Sequence, residues 1–142
     1  MRAPLGLSLG GVSLYVLGLA ACGPAADPDV DRLVGRWQVD VAALRGETAF
    51  ARLSDAQREV IERVEAASVY EFLAQGEASR TYGAERTQVT WWSPGRSESG
   101  ALRLRTRDAA GVEREVLVRF VGDQAHMVNT DVPWSLPLSR VR

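Results

Sequence analysis

Few side chains in this sequence could carry out chemistry. His126 is the only histidine and Cys22 the only cysteine among 142 residues. One cysteine cannot form a disulfide within the chain, and with a single histidine it makes neither a multi-cysteine zinc site nor a histidine-cluster metal centre. All 17 basic side chains are arginine. The lysine of a P-loop, a Schiff base or a lysine-borne cofactor therefore has no residue to carry it. His126 is of a type that could act as a general base or contact a ligand near neutrality. It alternates with Ala125 and Met127 and has no partner cluster near it in sequence, which reads as a surface or packing histidine. Glu113 and Glu115 fall on one face of a strand, a spacing open to paired-carboxylate catalysis but usual for a solvated face. Arg103, Arg105 and Arg107 form a ladder opposite Leu102, Leu104 and Thr106. Such a ladder could meet an anionic headgroup or polyanion, but Glu113 and Glu115 on the next strand are placed to neutralise it across a hairpin. Neither a catalytic site nor a metal or cofactor site is expected, and the chain reads as a non-enzyme. A net charge of −1 gives no support to a nucleic-acid partner.

The N-terminal segment reads as an address. Arg2 is the only charge before an apolar run from Leu5 to Ala21 that ends in small residues, the layout of a signal peptide. Within it, Gly6-Leu7-Ser8-Leu9-Gly10 spells a nucleophile-elbow pattern, but in a leader that is removed it has no catalytic meaning. The run ends on Leu19-Ala20-Ala21-Cys22, which resembles at all four positions the lipobox of bacterial lipoproteins. The resemblance implies cleavage before Cys22, a diacylglycerol on its sulfur and an acylated amine. Multiple acyl chains anchor a protein stably where one does so marginally. The expected organisation is a signal peptide over 1–21, a lipidated tether over 22–29 rich in Pro, Ala and Gly, and a folded domain over 30–142. Gly23 after the cysteine lacks the aspartate that commonly retains such lipoproteins at the inner membrane. The resemblance thus implies the outer membrane, facing the periplasm, in a two-membrane host. An uncleaved span, ordinary secretory cleavage beyond Ala25 and a chance cysteine are the competing readings.

The elements that must position any site follow from period and punctuation. Val30, Leu33 and Val34 suggest a short helical turn leading into a first strand at Gly35-Arg36-Trp37-Gln38-Val39. Asp40 can cap a brief helix through Leu44, ended by Gly46. Ser54 to Gln57 spells a capping box opening a longer amphipathic helix, with Ala56, Val60, Ile61, Val64 and Ala67 on one face. That face belongs against something apolar, so the helix reads as a packing helix. From Val69 the period becomes two, with strand-like runs over 69–74, 77–82, 86–93, 101–107, 112–121, 124–130 and 134–141, separated by turn residues. The expected fold is mainly β: an antiparallel up-and-down barrel of about eight strands with a helical insertion after the first. Its rival is an open α+β antiparallel sheet packed on one helix, which Pro137 favours because proline removes a hydrogen bond from a closed ladder. Trp91 and Trp92 are adjacent, so one must leave a barrel interior and be covered by the helix or a loop, or else meet a partner.

The Gly35-Arg36-Trp37 opening, the up-and-down strands, and Arg140 within Pro137-Leu138-Ser139-Arg140 resemble the lipocalin and wider calycin pattern. The resemblance implies that Trp37 packs at a closed barrel end with Arg140 lying across it, making Gly35, Trp37 and Arg140 a structural signature. Parity lists Tyr70, Phe72, Leu102, Leu104, Val116, Val118, Phe120, Leu136 and Leu138 as interior. Tyr70, Phe72 and Phe120 are the expected ligand contacts if the interior holds a cavity, although these side chains are large enough to fill it. Two functional readings stand: a membrane-anchored binding module for a small apolar ligand, and a non-catalytic structural or interaction domain of the envelope whose protein partner is unspecified.

Overall fold

The computed structural model describes residues 27–129 and 131–142. Cys22, the expected signal peptide and cleavage site, and residues 23–26 of the expected tether lie outside the described residues. No helix among the described residues is long and apolar enough to cross a membrane.

Eight antiparallel strands close into an up-and-down barrel in chain order. They are β1 (Gly35–Val39), β2 (Ser68–Phe72), β3 (Glu77–Tyr82), β4 (Glu85–Arg96), β5 (Leu102–Arg107), β6 (Glu113–Val121), β7 (Gln124–Asn129) and β8 (Ser135–Arg140). Closure is made by β1 against β8, with Trp37 opposite Arg140 and Val39 opposite Leu138. A closed barrel leaves no strand edge unpaired. The open-sheet alternative therefore falls, and the geometry around Pro137 explains why proline is tolerated. Its carbonyl accepts from the Asp40 amide at 2.8 Å, while the Asp40 carbonyl, which a strand N–H at position 137 would have used, accepts from Leu44 at 2.9 Å. The missing donor falls where β1 is already turning into helix.

Four helices complete the described residues: α1 (Pro28–Leu33), α2 (Val41–Arg45), α3 (Thr48–Ala51) and α4 (Asp55–Ala66). Asp40 caps α2 by accepting from the Ala43 amide, and Ser54 with Gln57 forms the expected capping box of α4. Two departures from the sequence reading concern ends. The folded part begins earlier than residue 30, because Asp27 caps α1 and, with Asp29, binds Arg96 on β4 at 2.7 Å. Strand β4 also continues through Pro94 and Gly95, which read as a break. A register shift between Trp92 and Gly95 absorbs them as a bulge against β5.

The barrel interior divides into two halves. Trp37, Leu102, Val118, Ala125 and Leu138, each 0–1% exposed, fill one half solidly. The other opens beneath α4. Leu44 of α2 and Phe50 of α3 are completely buried, with Phe50 edge-on to Trp134 at 5.8 Å, so the first part of the insertion is fixed to the barrel. Helix α4 has no fully buried residue, and Val60 stays 52% exposed. It packs less deeply than its amphipathic pattern led one to expect.

Candidate functional site: the barrel ends and the cleft under α4

The filled half ends in a cluster built by the signature residues. Trp37 is 1% exposed, and its indole Nε1–H donates to the Leu33 carbonyl at 2.8 Å. The Arg140 guanidinium lies 4.4 Å from the Trp37 ring centroid, close enough for a cation–π contact. It also donates to the Val34 carbonyl at 3.0 Å and to the Arg32 carbonyl, two acceptors at the C-terminal end of α1 that the helix itself leaves unmet. Gly35 has φ +135, and a Cβ there would stand 2.6 Å from Arg140 Nη1. Only glycine lets the arginine cross at that height. This is the arrangement expected of the three signature positions.

Phe120 belongs to this same end. Strand parity puts it inside, as expected, but it packs 6.4 Å from Trp37 with the Arg32 guanidinium 4.2 Å above its ring. The expectation that it lines a ligand cavity together with Tyr70 and Phe72 is corrected. Parity fixes which face a residue takes, whereas strand tilt and stagger fix its height along the barrel axis, and height is what separates Phe120 from the other two.

The opposite end is open. A cleft of about 480 Å³ lies between α4 and the barrel mouth, walled by Ile61, Val64, Tyr70, Met127, Trp134 and Leu136 among others. A deeper space of about 170 Å³ inside the barrel is walled by Phe72, Ala78, Val89 and Leu104. Both share Tyr70, Arg80, Val116 and Met127, so one leads into the other. The combined space is of the size of a small-molecule site, and its walls are mostly apolar. Tyr70 and Phe72 face the barrel interior, as strand parity expects, and line these spaces.

One polar cluster sits in this apolar wall. The Tyr70 hydroxyl donates to Glu65 Oε2 at 2.7 Å, and Arg80 Nη2 donates to Glu65 Oε1 at 3.1 Å. Tyr70 and Arg80 are cross-strand neighbours on β2 and β3, while Glu65 reaches them from the last turn of α4. The Arg80 guanidinium is also 5.7 Å from the Tyr70 ring centroid. Burial above all, with the Glu65 carboxylate beside it, pushes the Tyr70 phenol well above its ordinary range. Arg80 Nε is buried without a hydrogen-bond partner among the described residues. The sequence reading passed over this cluster. Its one legible sign was a charged residue, Arg80, at the same parity as Ala78 on a strand whose other face is polar.

The remaining expected chemistry resolves into surface structure. Glu115 accepts from Arg103 at 2.8 Å and lies 3.5 Å from Arg105, and Glu113 pairs with Arg107. These guanidinium donors hold both carboxyls below the usual glutamate value. The arginine ladder is thus neutralised across the β5–β6 hairpin as expected. His126 faces outward on β7 between Arg119 and Pro137 of the flanking strands. Trp91 turns inward, 5.7 Å from Phe72 and donating to the Leu73 and Glu77 carbonyls. Trp92 turns outward and is covered by Arg107, 5.4 Å from its ring. No group of three His, Cys, Asp or Glu residues placed to hold a metal occurs among the described residues.

Comparison with known proteins finds no matching family model, no matching curated protein and no matching solved structure.

Proposed function

We propose that this chain is a lipid-anchored, lipocalin-like binding protein of the bacterial envelope that carries a small apolar ligand in the open half of its barrel. The observation that supports it is the apolar cleft of about 480 Å³ under α4, leading into a further space of about 170 Å³ between Phe72, Val89 and Leu104. An eight-stranded barrel is just wide enough for its side chains to fill it or to hold one small ligand. Here the interior around Leu102 and Leu138 is packed and the half under α4 is not, while the cleft of about 410 Å³ outside Trp37, Phe120 and Arg140 has a much more polar wall.

Anchoring rests on the lipobox at Leu19-Ala20-Ala21-Cys22. Asp27, where the folded part begins, is tied to Arg96 at the closed end beside α1. Four residues lie between it and Cys22, so the closed end would lie within roughly 20 Å of an acylated sulfur. The mouth under α4 would then face away from the membrane, and ligand would arrive from the aqueous side. The chain acts as a carrier and performs no reaction in this reading.

The test is the mass of material co-purifying with the protein when it is extracted gently from its native membrane, with and without prior organic extraction. A stoichiometric small molecule lost on extraction supports the carrier. If none is found and a neutral apolar fluorophore shows no saturable binding, the domain serves a structural or interaction role in the envelope.

A further inference from the structure

We infer that the ligand is a single-chain amphiphile ending in a carboxylate, and that Glu65 is its internal competitor for Arg80, holding α4 down as a lid until the ligand's carboxylate takes its place. This rests on the carrier reading above and deepens it by naming the ligand class.

Arg80 is a charged side chain in a mostly apolar wall. A guanidinium keeps its charge at any physiological pH, and that of Arg80, with its side chain 39% exposed, faces water on one side and the cleft wall on the other. Glu65 supplies an acceptor, with its side chain 13% exposed, but it engages Arg80 only through Nη2 at 3.1 Å. Nε, the other edge of the fork, is buried and unpartnered among the described residues. A carboxylate arriving from the cleft can accept from Nε and Nη2 together, the bidentate geometry that arginine offers. The Tyr70 hydroxyl, which now donates to Glu65 at 2.7 Å, is a third donor already aimed at a carboxylate. Below these groups the wall turns apolar, through Phe72 and Ala78 one register step deeper and then Val89 and Leu104. A head at Arg80 thus places a tail in the inner space.

The same geometry makes α4 the movable part. Helices α2 and α3 are fixed by the buried Leu44 and Phe50, while α4 has no fully buried residue. Its ties to the rest of the chain include the Glu65 pair and the exposed Arg45–Glu62 pair at 2.9 Å. A neutral chain entering the cleft leaves the Glu65–Arg80 pair in place. A carboxylate replaces it and gives the buried Nε edge of Arg80 an acceptor, and Glu65 swings to water at the helix end.

Binding of decanoate, decanol and decyltrimethylammonium to the chain from residue 23 onward tests this by isothermal titration, with circular dichroism to confirm that each variant is folded. Decanoate is expected to bind about tenfold tighter than decanol, the value of one charge-assisted hydrogen bond. Glu65→Gln is expected to strengthen decanoate by a similar factor and leave decanol unchanged, and Arg80→Met to erase the preference. Should Arg80→Met not fold, the ranking of the three ligands on the unaltered chain and the sign of the Glu65→Gln effect decide the matter. Saturable decanol binding with no decanoate preference, or weaker decanoate binding in Glu65→Gln, would overturn the Glu65–Arg80 exchange and leave an apolar carrier. Absence of binding by all three to folded protein would overturn the carrier reading itself.

Discussion

Removing Trp37 and Arg140 singly and together probes how the barrel is closed. Trp37 is 1% exposed and donates to Leu33 at 2.8 Å, so Trp37→Ala loses aromatic packing and should cost about 3–5 kcal/mol. Trp37→Phe keeps a ring under Arg140 but strands the Leu33 carbonyl, which should cost about 1–3 kcal/mol. Arg140→Ala loses the ring contact at 4.4 Å and the donors to Val34 and Arg32. Because Arg140 is exposed, each loss is small, and about 2 kcal/mol in all is expected. The pair should be non-additive by about 1 kcal/mol, since one contact is counted in both single losses. Urea denaturation followed by far-ultraviolet circular dichroism measures this without relying on the removed indole. A loss of about 4 kcal/mol should move the midpoint by roughly 2–3 M. Simple additivity, or Arg140→Ala costing as much as Trp37→Ala, would refute the claim that the two groups close the barrel as a unit.

Gly35→Ala should destabilise as strongly as Arg140→Ala or more, because the new Cβ meets Arg140 Nη1 at 2.6 Å and φ +135 disfavours any side chain; the same denaturation series measures it. Stability should fall on acidification. Asp27, Glu113 and Glu115 are held below their ordinary values by Arg96, Arg107 and Arg103 respectively, so their contributions are complete at neutral pH and vanish as pH drops through those depressed values. Arg96→Met should flatten that acid dependence in denaturation midpoints compared between pH 7 and pH 3. Phe72→Ala should weaken an apolar probe because Phe72 walls the inner space, whereas Phe120→Ala should lower stability without comparable loss of probe, since Phe120 packs on Trp37. Cys22→Ser should accumulate as an unlipidated precursor, and normal acylation of that variant would remove the anchor assignment.

What the sequence made legible followed from local rules. Alternation and turn residues located all eight strands to within a few residues, and capping chemistry located α2 and α4, because those signals are set by neighbours along the chain. Adjacent tryptophans had to split, and Trp91 and Trp92 do. What escaped depends on distance in space. The height of Phe120 follows from strand stagger, and the docking of α1 depends on Arg96, 69 residues from Asp27. The Glu65–Tyr70–Arg80 cluster forms only when the last turn of α4 meets two strands, and each member alone reads as an ordinary polar position. Pro137 misled for the same reason: whether its missing donor matters depends on where β1 ends against β8.

In the proposed carrier the half of the barrel under α4 is the binding cavity, and the half around Trp37, Leu102 and Leu138 is packed core. Methyl-resolved NMR of the chain from residue 23 onward, titrated with decanol, tests it most directly. Saturable shifts are expected at Val64, Val116, Met127, Leu104 and Leu136 around the cleft, while Val34 and Val121 at the closed end stay still. Shifts confined to the closed end, or none at any concentration below decanol's solubility, would contradict it.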